Sequence, residues 1–182
     1  SLGVCLLIIV DSFSSGFNNL IDDKLAKIDG HIRITKFNKS NDLSFLDSLF
    51  DNSNYNVNKF ISSYSIIGSN KYLDNSLLYG VESNLLDEVF NLNSFLYSGK
   101  INLTNNSDII IGYKLADILN LGLNDQVQLY NIDQIQRNNL FIPKIFNVKG
   151  IIKTGFPEYD KVLAFIQYDV LDSSFNTISS SE

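Results

Sequence analysis

One cysteine, Cys5, and one histidine, His31, stand in a chain of 182 residues. A single thiol cannot close an internal disulfide, and neither a cysteine-based zinc site nor a multi-histidine metal site can be assembled from this inventory. Proline is rare, at 2 residues. Basic residues are outnumbered, 14 Lys and Arg against 20 Asp and Glu, and none of them forms a dense run. That excludes a nucleic-acid surface, which needs clustered cations to meet phosphate. No glycine-rich loop follows a strand signal, so a phosphate cradle is absent. No internal repeat and no low-complexity tract is found. The most apolar run, Gly3–Val10, is less than half of the roughly 20 residues that span a bilayer.

What is present is ordinary globular material. Hydrophobic residues make up 45% and charged residues 19%, with a net charge of -6. Such a chain can bury a sizeable core as one large domain or two small ones. The abundant asparagine reads as a bias at solvent-facing positions rather than as chemistry.

Three readings compete for Gly3–Val10: a buried strand, a signal-peptide core, and the end of a membrane helix. A signal peptide would need a basic flank and a small-residue cleavage site, and Ser12–Phe17 supplies neither. Beyond the run, Phe13, Phe17, Leu20, Ile21, Leu25 and Ile28 recur at steps of three and four, one face of an amphipathic helix. An all-round apolar stretch that becomes one-sided is leaving a bilayer. The expectation is therefore the end of a transmembrane helix over 1–11, truncated at the start of the chain, and an amphipathic stalk helix over 12–28. The buried strand stays open beside it.

The rest, 29–182, reads as an α+β domain with mostly antiparallel strands, split into two lobes near 91–106 and continuing past residue 182. His31–Phe37 alternates as a strand, and Leu43–Phe50 follows as a short helix capped by Asn41 or Asp42. Lys59–Ser69 and Lys71–Val81 form a hairpin around Gly68-Ser69-Asn70. Asn84–Phe90 is helical, and Phe95–Asn106 is a loop turning at Gly99. Asp108–Gly112 is an apolar strand. Tyr113–Leu121 is a helix with Leu115, Ala116, Ile118 and Leu119 inward, stopped by Gly122. Gln126–Tyr130 and Lys144–Thr154 are strands, the second with Ile145, Val148, Ile151 and Ile152 as core candidates. Gly155–Asp160 is a turn around Pro157, Val162–Gln167 a strand and Tyr168–Phe175 a helix.

Catalytic constellations are sparse. His31 lies in an alternating strand and reads as half-exposed rather than catalytic. Asp22-Asp23 lies on the polar side of the stalk helix, a solvated face. Glu158 and Asp160 could serve as acid and base or hold a metal, but no third ligand accompanies them. The better reading is a turn whose aspartate caps a neighbouring backbone amide.

Tyr130–Phe146 is different. It joins two strand signals through a connection longer than the roughly two to five residues of a usual hairpin. Apolar Ile132, Ile135, Leu140, Phe141 and Ile142 are set among polar residues there. Either they pack back on the domain, or they project as an arm offering apolar contacts to a partner.

Four stretches together resemble the FtsX-like ABC permeases, specifically the lipoprotein-releasing LolC/LolE type. "GVCLLIIVDSFSSGF" is similar to the end of that family's first membrane helix, and "KIDGHIRI" to its first extracytoplasmic strand. "SDIIIGYKLADILNLGLNDQVQLY" is similar to its strand-helix-strand core, with Asn124-Asp125 where a glycine-aspartate pair is usual. "FNVKGIIKTGFPEYDKVLAFI" is similar to its glycine turn, its glutamate-tyrosine-aspartate run and the strand that follows. The resemblance implies a MacB-like periplasmic core domain at the inner (cytoplasmic) membrane, with no catalysis and no cofactor of its own. It implies a separate cytoplasmic ABC ATPase, a second permease copy or sister subunit, lipoproteins as substrate and a periplasmic lipoprotein carrier. The carrier would meet a hook arm carrying Ile132, Ile135, Arg137, Leu140, Phe141, Ile142 and Pro143. Phe13, Phe17, Leu20 and Ile21 would border the opening for the lipid-bearing substrate. The hook here lacks the usual proline of its first half but keeps Pro143. Two other readings stand beside it: a mechanotransmission domain for export of peptides or small molecules, and an FtsX-like regulatory domain that activates a cell-wall hydrolase.

Overall fold

The computed structural model describes residue 4 and residues 60–83, 86–132 and 142–175. The chain divides into two compact units, Ser1–Asn54 and Tyr55–Glu182. In the first unit only Val4 is described, and it is exposed. The membrane-helix end, the stalk helix, the His31 strand and the Leu43–Phe50 helix therefore lie outside the described residues. No described helix is long and apolar enough to cross a membrane.

The second unit is strand-rich with a few short helices. Strands β1 (Phe60–Gly68) and β2 (Leu73–Val81) form a hairpin, closed where the Ser69 N–H donates to the Tyr72 carbonyl at 2.9 Å. Helix α1 (Leu86–Phe90), a 3₁₀ turn (Leu92–Phe95) and β3 (Leu96–Gly99) follow. Next come β4 (Asp108–Gly112), α2 (Tyr113–Leu119), β5 (Gln126–Asn131) and β6 (Lys144–Ile152), then α3 (Pro157–Val162), β7 (Leu163–Gln167) and α4 (Tyr168–Phe175).

Among the described residues the sheet has seven strands in the order β3-β6-β4-β7-β2-β1-β5, and β5 pairs back onto β6. The strands from β6 round to β5 thus close into a ring, with β3 added at the side of β6. Only β2–β7 and β4–β6 are parallel among the described pairings.

Both faces of this sheet are buried in part. One carries Ile67, Leu78, Ile109, Ile111, Val127, Leu129, Phe146, Val148, Ala164 and Ile166, packed with Leu115, Ala116 and Leu119 of α2 and with Val170 and Leu171 of α4. The other carries an aromatic cluster. Tyr79 and Phe165 stack at 5.4 Å between ring centroids, and Phe90 of α1 meets Phe165 edge-on at 5.5 Å. Phe60 joins at 6.0 Å from Tyr79. Aromatic pairs of this geometry contribute roughly 0.5–1.5 kcal/mol beyond their buried area.

Several expectations are corrected. Residues 91–106 lie inside the second unit, with Leu92 and Leu103 buried and β3 paired to β6. Leu96–Gly99, expected as loop, is a strand of the sheet. Helix α2 ends at Asn120, whose backbone is left-handed (φ 52) and whose N–H reaches Ala116 and Asp117, so Gly122 is not the stop. Ile118 is half-buried rather than fully inward. Ile145 points outward, 53% exposed, and Phe146 takes the core position opposite Val127. Residues 157–162 form a helix with Pro157 in its first turn, where a missing N–H costs nothing.

Candidate functional site

The described part of the arm is its root. Among the described pairings, β5 and β6 run from Gln126↔Asn147 to Leu129↔Lys144. Past that point β5 stays attached to β1, through Ile66↔Tyr130 and Ser65↔Asn131. The register brings the two feet of the arm, Ile132 and Ile142, to neighbouring strand ends. Ile132 is half-buried, Pro143 half-buried and Ile142 66% exposed. Ile135, Arg137, Leu140 and Phe141 lie outside the described residues, as do Phe13, Phe17, Leu20 and Ile21.

The sheet beside the root is unusually apolar for an outer face. Ile145 on β6 and Tyr64 on β1 are both exposed, Tyr64 at 72%. Tyr130 lies outward between their strands, its hydroxyl donating to Gln128 Oε1 at 2.8 Å. The inward face at the same height is polar. Ser65 and Ser76 are fully buried with their hydroxyls 2.7 Å apart, and Asn131, opposite Ser65, is buried as well. Sequence reasoning passed over this row. Its signal was Ser63 and Ser65 on the inward alternation of a strand that otherwise carries isoleucine there.

Glu158 and Asp160 do not form a reactive pair. Glu158 is exposed, whereas Asp160 is buried and its Oδ1 accepts from both the backbone N–H and the hydroxyl of Thr154, each at 2.8 Å. The aspartate caps an amide, as its spacing suggests. No group of His, Cys, Asp and Glu suited to a metal occurs among the described residues.

Two open clefts flank the ring. One, of about 490 Å³, is lined by Tyr97, Tyr113, Asp117 and Asn120 among others. Tyr97 and Tyr113 meet edge-on at 4.7 Å, and the Lys153 amine lies 4.9 Å from the Tyr113 ring centre. The other lies around Ser83, Asn93 and Asn102. Neither holds a nucleophile beside a base. At the foot of α4, burial pushes the Tyr168 phenol up from its ordinary value, with Asp172, Asp169 and Glu82 adding to the effect.

The family of MacB-like periplasmic core domains matches residues 1–180. Among solved structures, the chain is similar to the extracellular domain of the noncanonic ABC-type transporter YknZ from Gram-positive bacteria. The two share 18% identity and superpose with a TM-score of 0.51, over 78% of this chain and 67% of that one. A domain of a permease protein from Porphyromonas gingivalis is similar at 12% identity and a TM-score of 0.43, over 62% of this chain and 45% of that one. No curated protein sequence matches the chain.

Proposed function

Because this chain belongs to the family of MacB-like periplasmic core domains, the extracytoplasmic domains of ABC-type transporter permeases, we propose that it passes lipoproteins from the membrane to a soluble carrier. The arm between β5 and β6 is the contact it offers. The observation that carries this reading is the root itself: the described β5–β6 pairing ends at Leu129↔Lys144, with Ile142, Ile145 and Tyr64 exposed around it. Exposed apolar groups gathered at one place favour a protein or lipid contact over a solvated loop.

The family implies an ATPase partner and a dimeric assembly. In this reading the ATPase is a separate cytoplasmic subunit, the second permease is a copy or a sister chain, and the domain works by contact rather than turnover.

The test is photo-crosslinking from position Ile142 in the intact permease, in cells that contain its own lipoprotein carrier. A carrier adduct that disappears when Leu140, Phe141 and Ile142 become Ser supports the reading. An adduct with a membrane-fusion or hydrolase partner, or none, overturns it in favour of export or of hydrolase regulation.

A further inference from the structure

The cleft between α2, β3 and the end of β6 joins an unmatched cation to an aromatic wall, and the geometry points to it as a site for the carboxylate end of a peptide whose last side chain is apolar. The Lys153 amine lies 4.9 Å from the ring centre of Tyr113 and 5.7 Å from that of Tyr97. It meets no carboxylate among the described residues. Ring faces attract a cation through their quadrupole but do not cancel its charge. The amine is thus steadied by two rings and still able to donate to an anion, and such charge-assisted hydrogen bonds are the strong ones.

The rest of the cleft suits the residues that precede the carboxylate. Ala116 and Ile151 are buried at its lining, and Tyr97 stands 57% exposed beside them. An apolar side chain gains by leaving water there. At the other end lies Asn120, whose carboxamide makes no hydrogen bond with a described residue. A carboxamide carries both a donor and an acceptor, so it matches a peptide unit. From Tyr113 to its Asn120 cap, α2 rises about 10 Å, the length of roughly three extended residues. The volume of about 490 Å³ accommodates a ligand of that size. The acids of the cleft fix the direction. Asp117 is engaged by Lys114 at 3.3 Å, whereas Asp125, which accepts the Gly122 N–H at 2.7 Å, has no cation beside it among the described residues. A free carboxylate is repelled from the Asp125 end and drawn to Lys153. Ile151 lies near the end of the 9-residue β6, roughly 20–25 Å from Lys144 at the arm's root, so this site is separate from the proposed carrier contact.

NMR titration of the isotope-labelled full chain tests this, with N-acetyl-alanyl-phenylalanine and with the same dipeptide as its C-terminal amide. The acid should shift the amide signals of Tyr97, Tyr113, Asn120 and Lys153, and the amidated form should bind about tenfold or more weakly. Lys153→Met, which keeps an unbranched stem over the rings, should weaken the acid by a similar factor and leave the amidated form unchanged. Lys153→Arg, which keeps the charge, should stay within about threefold. Unchanged signals for Ile109, Ile110 and Ile111 of β4 show that each variant is folded. Equal binding of acid and amide, shifts confined to residues outside the cleft, no binding of either, or Lys153→Met without effect overturns the proposal. Neither result depends on whether a carrier adduct forms at Ile142.

Discussion

Gly112 and Asp160 meet at the junction of β4 with α2 and α3. A Cβ at Gly112 would collide with the carbonyl oxygen of Asp160, so glycine is what lets α3 lie against the strand end. Gly112→Ala forces backbone apart rather than a flexible side chain, and it should cost about 2–3 kcal/mol in urea unfolding. Asp160→Ala leaves the buried Thr154 N–H without its acceptor and should cost about 1–3 kcal/mol. Glu158→Gln, on the exposed side of the same helix, should stay within about 0.5 kcal/mol. Were the pair a working acid and base, the exposed Glu158 would matter to an activity and not to stability. Tyr168 supplies a pH test. Its phenol is pushed up in the folded chain, so the folded state favours the neutral form. That contribution is present below the ordinary tyrosine value of about 10 and is lost as pH rises through the folded value. An ultraviolet titration should show a late tyrosine step that is missing from Tyr168→Phe.

Among the elements, those with strong local signals were legible and those defined by distant partners were not. The β1–β2 hairpin, β4, β5, β7 and α4 follow directly from alternation, apolar runs and turn residues. β3 was missed because its four residues, Leu96-Tyr97-Ser98-Gly99, carry no strand pattern of their own. It is a strand because β6 pairs with it, and it ends at Gly99, whose positive φ of 86 and close approach to the Lys149 carbonyl admit no side chain. Ile145 was placed inward because a lone isoleucine looks like core. The neighbouring Phe146 shifts the period by one, and a one-residue change of phase reverses every side chain. The end of α2 was assigned to Gly122 on residue type, whereas Asn120 adopts the left-handed cap. The helix should lose about 1–2 kcal/mol with Asn120→Ala, which resists φ near 52, and almost nothing with Asn120→Gly. Thermal unfolding of the two variants separates backbone strain from loss of the amide side chain.

For the whole molecule, ring closure is the feature that no local pattern could reveal. It depends on β5 meeting both β1 and β6, and on β7 running between β2 and β4. The order of strands in the chain says nothing of either pairing. The connected arm was visible as an overlong hairpin, but its root in β1 was not, since that needs the Ser65↔Asn131 register. Closure also predicts how the chain can be divided. Each ring strand finds two neighbours within residues 60–167 over part of its length, with β1 meeting β5 over Ser65–Gly68. The two packed faces likewise draw on α1, α2 and α4 of the same unit. A chain of residues 55–182 should therefore unfold in one cooperative transition, with Ile109, Ile110 and Ile111 protected from exchange as in the full chain. Its stability should lie within about 2 kcal/mol of the full chain's, a small share of the roughly 5–15 kcal/mol typical of a domain. Circular dichroism with urea and amide exchange on the two chains decide the matter. Loss of the cooperative transition in 55–182 would mean that the first unit supplies part of the second unit's core.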